Sequence, residues 1–383
     1  MNTENMEQVI SCYIKNFAMI NDEEHQEYYK WQICHEFPIL MDEALNSSDE
    51  NFPKALYKAK ACTSNIIDSF TQPFYGLVKF AEEEPATVKQ MFKDLYAPDN
   101  GDLNLQMKRI ETFINCSNEL LEKYYPGSYL YKQNSHSVSS YLFLYNPEHH
   151  YMYKANECNT MANCIEFYDS WGSGDNIKLD VFYRMCDEMI EYIKKSHALL
   201  TTNQSRYDGE LKFSREGELH PDLNKHILLF DIIYCSRVYS LFDTISFSKP
   251  NSKEKKLLLE YKNKAQKLKE EYDVAKELND MLNEAIEYFS SAVDNGDIVN
   301  HKKYGQGTVT SINGKYIYIK FSDEVEEKQF GLPVVIANGI LSYANDDFEE
   351  KVLKYKSVLA KAQTIPGRLD SAAKALKQYE EYL

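Results

Sequence analysis

The apolar positions of the first 250 residues recur mostly at spacings of three and four, the period of helices that bury one face. Val9, Ile10, Tyr13, Ile14 and Phe17 make one stripe, and Tyr28, Trp31, Ile33 and Phe37 make another. The polar run 46–51 interrupts the pattern, and Pro53 opens a further helix to about Phe70. The clearest helical pair spans 82–125. Pro85 suits a first helical turn, Val88, Met91, Phe92 and Leu95 form an apolar face, and Ala97–Asp102 is turn chemistry. Ile110, Phe113, Ile114, Leu120 and Leu121 then line a second helix. The dense run Tyr141–Tyr145, the turn residues Asn146-Pro147 and the run Tyr151–Lys154 predict two short strands in a hairpin. Helices are expected again over 156–168, with a break at Gly172–Asp175, then over 179–200 and, after a polar stretch, over 223–247.

Lys249-Pro250-Asn251-Ser252 marks a boundary, after which the pattern sharpens. Leu258, Tyr261, Ala265, Leu268, Tyr272, Ala275, Leu282, Ile286 and Phe289 form a heptad seam with Asn279 as its one polar position. The seam predicts a coiled-coil arm that closes either within the chain or against a second copy. Residues 297–345 switch to period two and carry five glycines. Thr308–Ile312, Asn313-Gly314 and Tyr316–Phe321 read as a hairpin, with a third strand at Glu327–Phe330. Short curved strands in so few residues predict a small β-barrel. Val352, Leu359, Leu369, Ala373, Leu376 and Tyr379 make a last stripe, broken near Pro366-Gly367, which pairs most economically antiparallel to 253–293. The fold class expected is α+β, mainly α. It comprises a helical domain over 1–248 with a short β element, a coiled-coil arm over 253–293 and 347–383, and a barrel over 297–345.

Composition narrows the function. Acidic residues number 59 against 43 basic ones, a formal charge of −16, so the bulk surface repels a phosphate backbone and any nucleic-acid contact must be local. The eight cysteines are scattered without the two-residue gap of zinc sites and suit reduced thiols in the cytoplasm. No basic, apolar leader opens the chain and no apolar run is long enough for a bilayer, so no membrane partner is expected. Tyrosine is abundant, at 30 residues, as suits half-buried faces.

Catalytic patterns are sparse. Gly314-Lys315 is followed by Tyr316, and Gly305-Gln306-Gly307 opens no strand–turn–helix unit, so no phosphate loop is expected. Glu210-Leu211-Lys212 with Asp208 matches the carboxylate–lysine triplet of metal-dependent nucleases, but the triplet recurs at Glu254, Glu260, Glu326 and Glu349, as chance gives in a charged chain. His149-His150, and His220 with Asp222 and His226, are sparse groups that ordinary hydrogen bonding explains. No catalytic residue, metal ligand or cofactor is assigned.

Two stretches resemble known families. Phe80–Tyr96, Arg109–Gly127 and Ser137–Lys154 together resemble the region ahead of the motor in McrB-like restriction proteins. That resemblance implies recognition of a DNA target, with the motor and nuclease lying elsewhere. His301–Pro333 is similar to the Tudor-like barrels of UvrD-type helicases and CarD-like transcription factors. His301, Lys303, Tyr304, Gly305, Gly307, Val309, Ile312, Ile319, Phe321 and Phe330 carry the likeness. Those barrels dock on a protein or on nucleic acid, so Lys302, Lys303, Tyr304, Lys315, Tyr316 and Tyr318 are the expected binding face. The expected function is a non-enzymatic recognition or adaptor subunit of a bacterial defence or restriction system. Its partners would be DNA or RNA, a partner protein such as a motor, nuclease or polymerase, or a second copy through the coiled coil. The alternatives are a metal-dependent nuclease with a degenerate motif and a coiled-coil assembly scaffold.

Overall fold

The computed structural model describes all residues except 64–65, 68–69, 173–176, 210, 212–216 and 344–345, and the side chains of 346 and 347. Among the described residues, fifteen α-helices hold 63% of the chain beside one five-stranded antiparallel sheet, so the class is α+β, mainly α. The chain divides into two compact units, Met1–Lys255 and Lys256–Leu383.

The first unit contains α1 (Thr3–Ile20), α2 (Tyr29–Asn46), α3 (Phe52–Cys62), α4 (Pro73–Glu83), α5 (Pro85–Tyr96), α6 (Leu103–Tyr124), α7 (Ser135–Tyr145), α8 (Ala155–Cys164), α9 (Leu179–Lys195), α10 (His197–Gln204) and α11 (His226–Val238). Local chemistry sets several boundaries. Pro73 and Pro85 sit in first turns, where their missing N–H costs nothing. The Asp102 carboxylate caps α6 by accepting from the N–H groups of Asn104 and Leu105. The Arg109 guanidinium pins the 97–102 turn through the carbonyls of Ala97 and Pro98. α7 and α11 are buried on nearly every side and form the centre of this unit.

The expected hairpin at 141–154 is overturned. Residues 135–145 are helical, opened by a capping box in which Asn134 and Ser137 satisfy each other's N–H groups. Residues 151–154 run without a sheet partner among the described residues. The reason is burial: Ser137 to Leu144 are all buried, so no polar side exists to reveal the 3.6 period. The first unit therefore has no β element among its described residues. The helix expected over 179–200 is two helices, because the Ser196 side chain caps α10 at Leu199. Of the break expected at 172–175, residues 173–175 lie outside the described residues.

The second unit is built on α12 (Ser252–Ser291), most of which lies in it. Strands β1 (Ile298–His301), β2 (Gly305–Asn313), β3 (Tyr316–Phe321), β4 (Lys328–Gly331) and β5 (Leu341–Ser342) follow in spatial order β4-β3-β2-β1-β5. A short helix, α13 (Leu332–Ala337), lies between the last two. A bulge between Val309 and Ser311 curls the sheet into a half-barrel. Its concave face packs Val299, Val309, Ile317, Ile319 and Phe321 with Leu282, Ala285 and Phe289 of α12.

The C-terminal segment returns antiparallel to α12 as two helices, α14 (Asp346–Leu359) and α15 (Ile365–Lys377). Phe289 meets Phe348 at 5.0 Å, Lys354 reaches Glu284 at 3.6 Å, and Lys264 donates to the Tyr379 hydroxyl at 2.6 Å. The break lies at 360–364 rather than at Pro366, which occupies a first turn instead. The pairing therefore differs from a continuous five-heptad coiled coil. The returning segment is interrupted, and on α12 before Leu282 only Ala265 and Ala275 are fully buried. Leu258, Tyr261, Leu268 and Tyr272 are half-buried.

Candidate interaction surface

The β1–β2 turn carries half of the expected binding face, and its backbone is locked. The His301 ring is 6% exposed, and its Nδ1 accepts from the N–H groups of Lys303 at 3.1 Å and Tyr304 at 3.3 Å. Such acceptance places the proton of the neutral ring on Nε2. Burial, then the Lys303 ammonium, hold the imidazole below its ordinary pKa. Gly305 completes the turn at φ +70°, a left-handed backbone that glycine adopts freely. Gly307 lies so close to β3 that a Cβ there would fall 2.6 Å from Ile319 and 2.7 Å from Phe321. Behind the turn, the rings of His301, Tyr304, Phe321 and Phe330 form one cluster with centroid spacings from 4.8 to 6.2 Å. The Lys303 and Lys328 ammoniums lie 5.1 and 5.0 Å from the Tyr304 ring centre.

The six residues do not form one face. Lys302, Lys303 and Tyr304 follow β1, with both lysines exposed. Lys315, in the β2–β3 turn, and Tyr316, the first residue of β3, stand at the opposite end of β2, where the Gly314 carbonyl accepts from Ser290 of α12. At about 3.3 Å per residue the two ends of this nine-residue strand are roughly 25 Å apart. Tyr318 is half-buried between them on the convex side. There the Thr310 hydroxyl lies 3.1 Å from the Tyr318 carbonyl and 2.8 Å from the Glu327 carboxylate. The β3–β4 turn adds acids beside the lysines: Glu324 pairs with Lys328 at 3.2 Å, and Lys320 holds the carbonyl of Val325. The convex side is thus mixed in charge, and the β1–β2 turn is where basic and aromatic groups are concentrated.

In the first unit the main polar cluster is one the sequence patterns missed. The Asp231 carboxylate, fully buried on α11, accepts from Lys30, from Arg206 at 2.9 Å and from the Tyr13 hydroxyl. Lys30 also pairs with buried Glu27 at 2.8 Å, and Arg206 lies 4.2 Å from the Trp31 ring centre. Burial alone would raise the Asp231 pKa, but the two cations hold it below the ordinary carboxylate value. Burial pulls the Lys30 ammonium down, and the charges around it, Asp231 foremost, hold it well above its ordinary value. Glu27, Asp231 and Cys235 place donor atoms within 4.8 Å of one another, a possible metal trio by distance alone. Lys30 and Arg206 already neutralise both carboxylates, so the cluster works as a buried ion network tying α1, α2 and α11 together. A lone aspartate in the apolar run Ile227–Tyr234 was the available signal, because a buried charge needs a partner.

The two histidine groups come together, and structurally. Glu148 accepts from the backbone N–H groups of Leu223 and Asn224 at 2.7 Å each, and His226 Nδ1 lies 3.1 Å from the His150 carbonyl. Asp222 receives the N–H groups of Ile227 and Leu228 at the start of α11. His149 is exposed while His150 is buried, so the adjacent pair shares no ligand. Glu210 and Lys212 of the nuclease triplet lie outside the described residues. No helix among the described residues is long and apolar enough to cross a membrane. Comparison with family models, curated proteins and solved structures finds no match to this chain.

Proposed function

We propose that this chain is a non-catalytic recognition or adaptor protein whose C-terminal unit docks a partner through the β1–β2 turn of its sheet. One observation carries the reading: the turn is held by His301 Nδ1 and backed by four rings, yet it exposes Lys302 and Lys303. A surface whose backbone is already ordered loses little entropy on binding. The mixed charge of the neighbouring β3–β4 turn favours a protein partner with acidic groups over a bare phosphate backbone. The restriction-system setting, with a motor, nuclease or polymerase as that partner, rests on the resemblances of 80–154 and 301–333 and is proposed with them. A cytoplasmic setting suits the eight unpaired thiols.

The test is quantitative affinity capture with the full chain, comparing wild type with Lys302→Glu plus Lys303→Glu. Lys315→Glu plus Tyr316→Ala serves as the comparison at the far end of β2. The reading expects one protein to be lost with the first pair and retained with the second. Equal retention by both variants would sink it.

A further inference from the structure

The helical body exposes aromatic rings that its core does not use. Phe70 is 83% exposed, Tyr129 64% and Tyr57 51%. Single exposed apolar groups are ordinary, but a cluster marks a contact surface. The Phe70 and Tyr129 rings lie 6.2 Å apart and within 12° of parallel. Tyr57 meets Tyr75 edge-on at 6.5 Å, and Tyr75 meets Tyr131 at 6.1 Å. Backbone joins the two groups: the Tyr131 N–H donates to the Thr71 carbonyl at 2.7 Å. Tyr131 is seated so tightly on α4 that a Cβ at Gly76 would fall 2.2 Å from its own Cβ. Tyr131, which links the two groups of rings, is therefore held in place.

Its charge runs against that of the whole chain. The stretches 52–62, 70–79 and 123–134, which form the patch, contain Lys54, Lys58, Lys60, Lys79, Lys123 and Lys132 and no aspartate or glutamate, in a chain where acids outnumber bases 59 to 43. Glu82 and Glu84 neutralise Lys79 and Lys123 at 2.8 and 2.5 Å. Lys54, Lys58 and Lys132 are exposed, with no carboxylate partner among the described residues. Asp68, the acid nearest in sequence to Phe70, lies outside those residues.

Exposed rings, and on the same stretches of chain exposed lysines without a carboxylate partner among the described residues, match a polyanion that carries flat rings of its own. Duplex bases are stacked on each other and offer no free face, whereas single-stranded bases do. We propose that this patch is a stacking platform for single-stranded nucleic acid, with bases on Phe70, Tyr129 and Tyr57 and phosphates beside Lys54, Lys58 and Lys132. The inference goes beyond the docking role of the sheet and stands without it.

Fluorescence anisotropy of the full chain with a labelled oligothymidylate of about 15 nucleotides tests it, since such platforms cover about 4 to 16. Phe70→Ala with Tyr129→Ala should weaken binding about tenfold or more, and Tyr129→Phe, which keeps the ring, should stay within about twofold of wild type. Lys58→Ala with Lys132→Ala should reduce the slope of log affinity against log salt by about 1.4, at about 0.7 per phosphate contact on a single strand. The exposure of all four side chains leaves the fold intact, which circular dichroism checks. Lys374→Ala with Lys377→Ala, exposed on α15, should leave oligonucleotide binding unchanged. The proposal is overturned if wild type does not bind at low salt, if the aromatic variant binds as wild type does, or if labelled polyglutamate binds as well and loses affinity in the same variants.

Discussion

Replacing Asp231 with asparagine keeps the volume of the side chain and deletes one charge from a site that water does not reach. In the native body that carboxylate faces Lys30, Arg206 and the Tyr13 hydroxyl, with the Cys235 thiol 3.3 Å away. Without it, Glu27 alone opposes two cations, and the cluster keeps one uncompensated positive charge beside side chains that are fully buried. Breaking a buried pair from one side costs about 3–5 kcal/mol. That is a large share of the roughly 5–15 kcal/mol by which domains are usually stable. Removing Lys30 and Asp231 together, as Lys30→Met with Asp231→Leu, should cost less than the two single changes added together, by roughly 2 kcal/mol, because one cation, Arg206, and one carboxylate, Glu27, remain and the cluster keeps no net charge. The chain offers a clean probe. Its two tryptophans, Trp31 and Trp171, both lie buried in the first unit, so their fluorescence follows that unit's urea unfolding in the intact chain. If Asp231→Asn unfolds within about 1 kcal/mol of wild type, or the double change is simply additive, the ion network is not what holds these helices together.

Other consequences can be read from single sites. Gly307→Ala forces a Cβ against Ile319 and Phe321 and should destabilise the sheet by about 1–3 kcal/mol, measured as faster hydrogen exchange at the β3 amides; unchanged protection would contradict the packing. Burial holds the His150 imidazole down to about 4 and pushes the Asp222 carboxyl up to about 6. His150, with its folded pKa below the ordinary 6.5, loses stability as pH falls from 6.5 through 4; Asp222, raised above its ordinary 3.8, gains it as pH falls through 6. Each shift is worth about 3 kcal/mol, so the two largely cancel. The body of Asp222→Asn should lose stability on acidification while that of His150→Gln gains it, and parallel urea midpoints against pH would refute the assignment. Added zinc should leave the melting temperature of the wild-type body unchanged, because Lys30 and Arg206 already occupy the carboxylates of the Glu27, Asp231 and Cys235 trio; a saturable rise would show the metal displacing them.

What the sequence revealed depended on whether an element had a wet side. The Val88–Leu95 face of α5 and the seam from Leu258 to Phe289 each alternate buried with exposed positions, so their period survives in the sequence. The β2–β3 hairpin declared itself through Asn313-Gly314 between alternating runs, because a tight turn needs those residues whatever surrounds it. α7 gave the opposite signal. Tyr141, Leu142, Phe143 and Leu144 are all within 2% of full burial, and a continuous aromatic and aliphatic run reads as a strand when nothing polar marks the turns. The split return helix failed for a related reason: Pro366 looks like a breaker, yet at a first turn it starts a helix instead.

The same distinction governs the sites. Groups on one short stretch of chain could be named together, as Lys302, Lys303 and Tyr304 were, while the capping by the neighbouring His301 ring shows only in the structure. Groups that act through the fold could not. Asp231 meets Lys30 across 201 residues and Tyr13 across 218. The aromatic patch unites stretches near 57, 70 and 130 that share no motif. Spacing along a strand also misled: Lys302 and Lys315 fall in neighbouring turns of one motif, but an extended chain places successive turns at opposite ends of the sheet. A basic face inferred from a β-rich sequence therefore needs its residues on the same side of the pleat and the same end of the strands. By that criterion Lys302, Lys303 and Tyr304 remain one candidate surface, and Lys315 and Tyr316 form another.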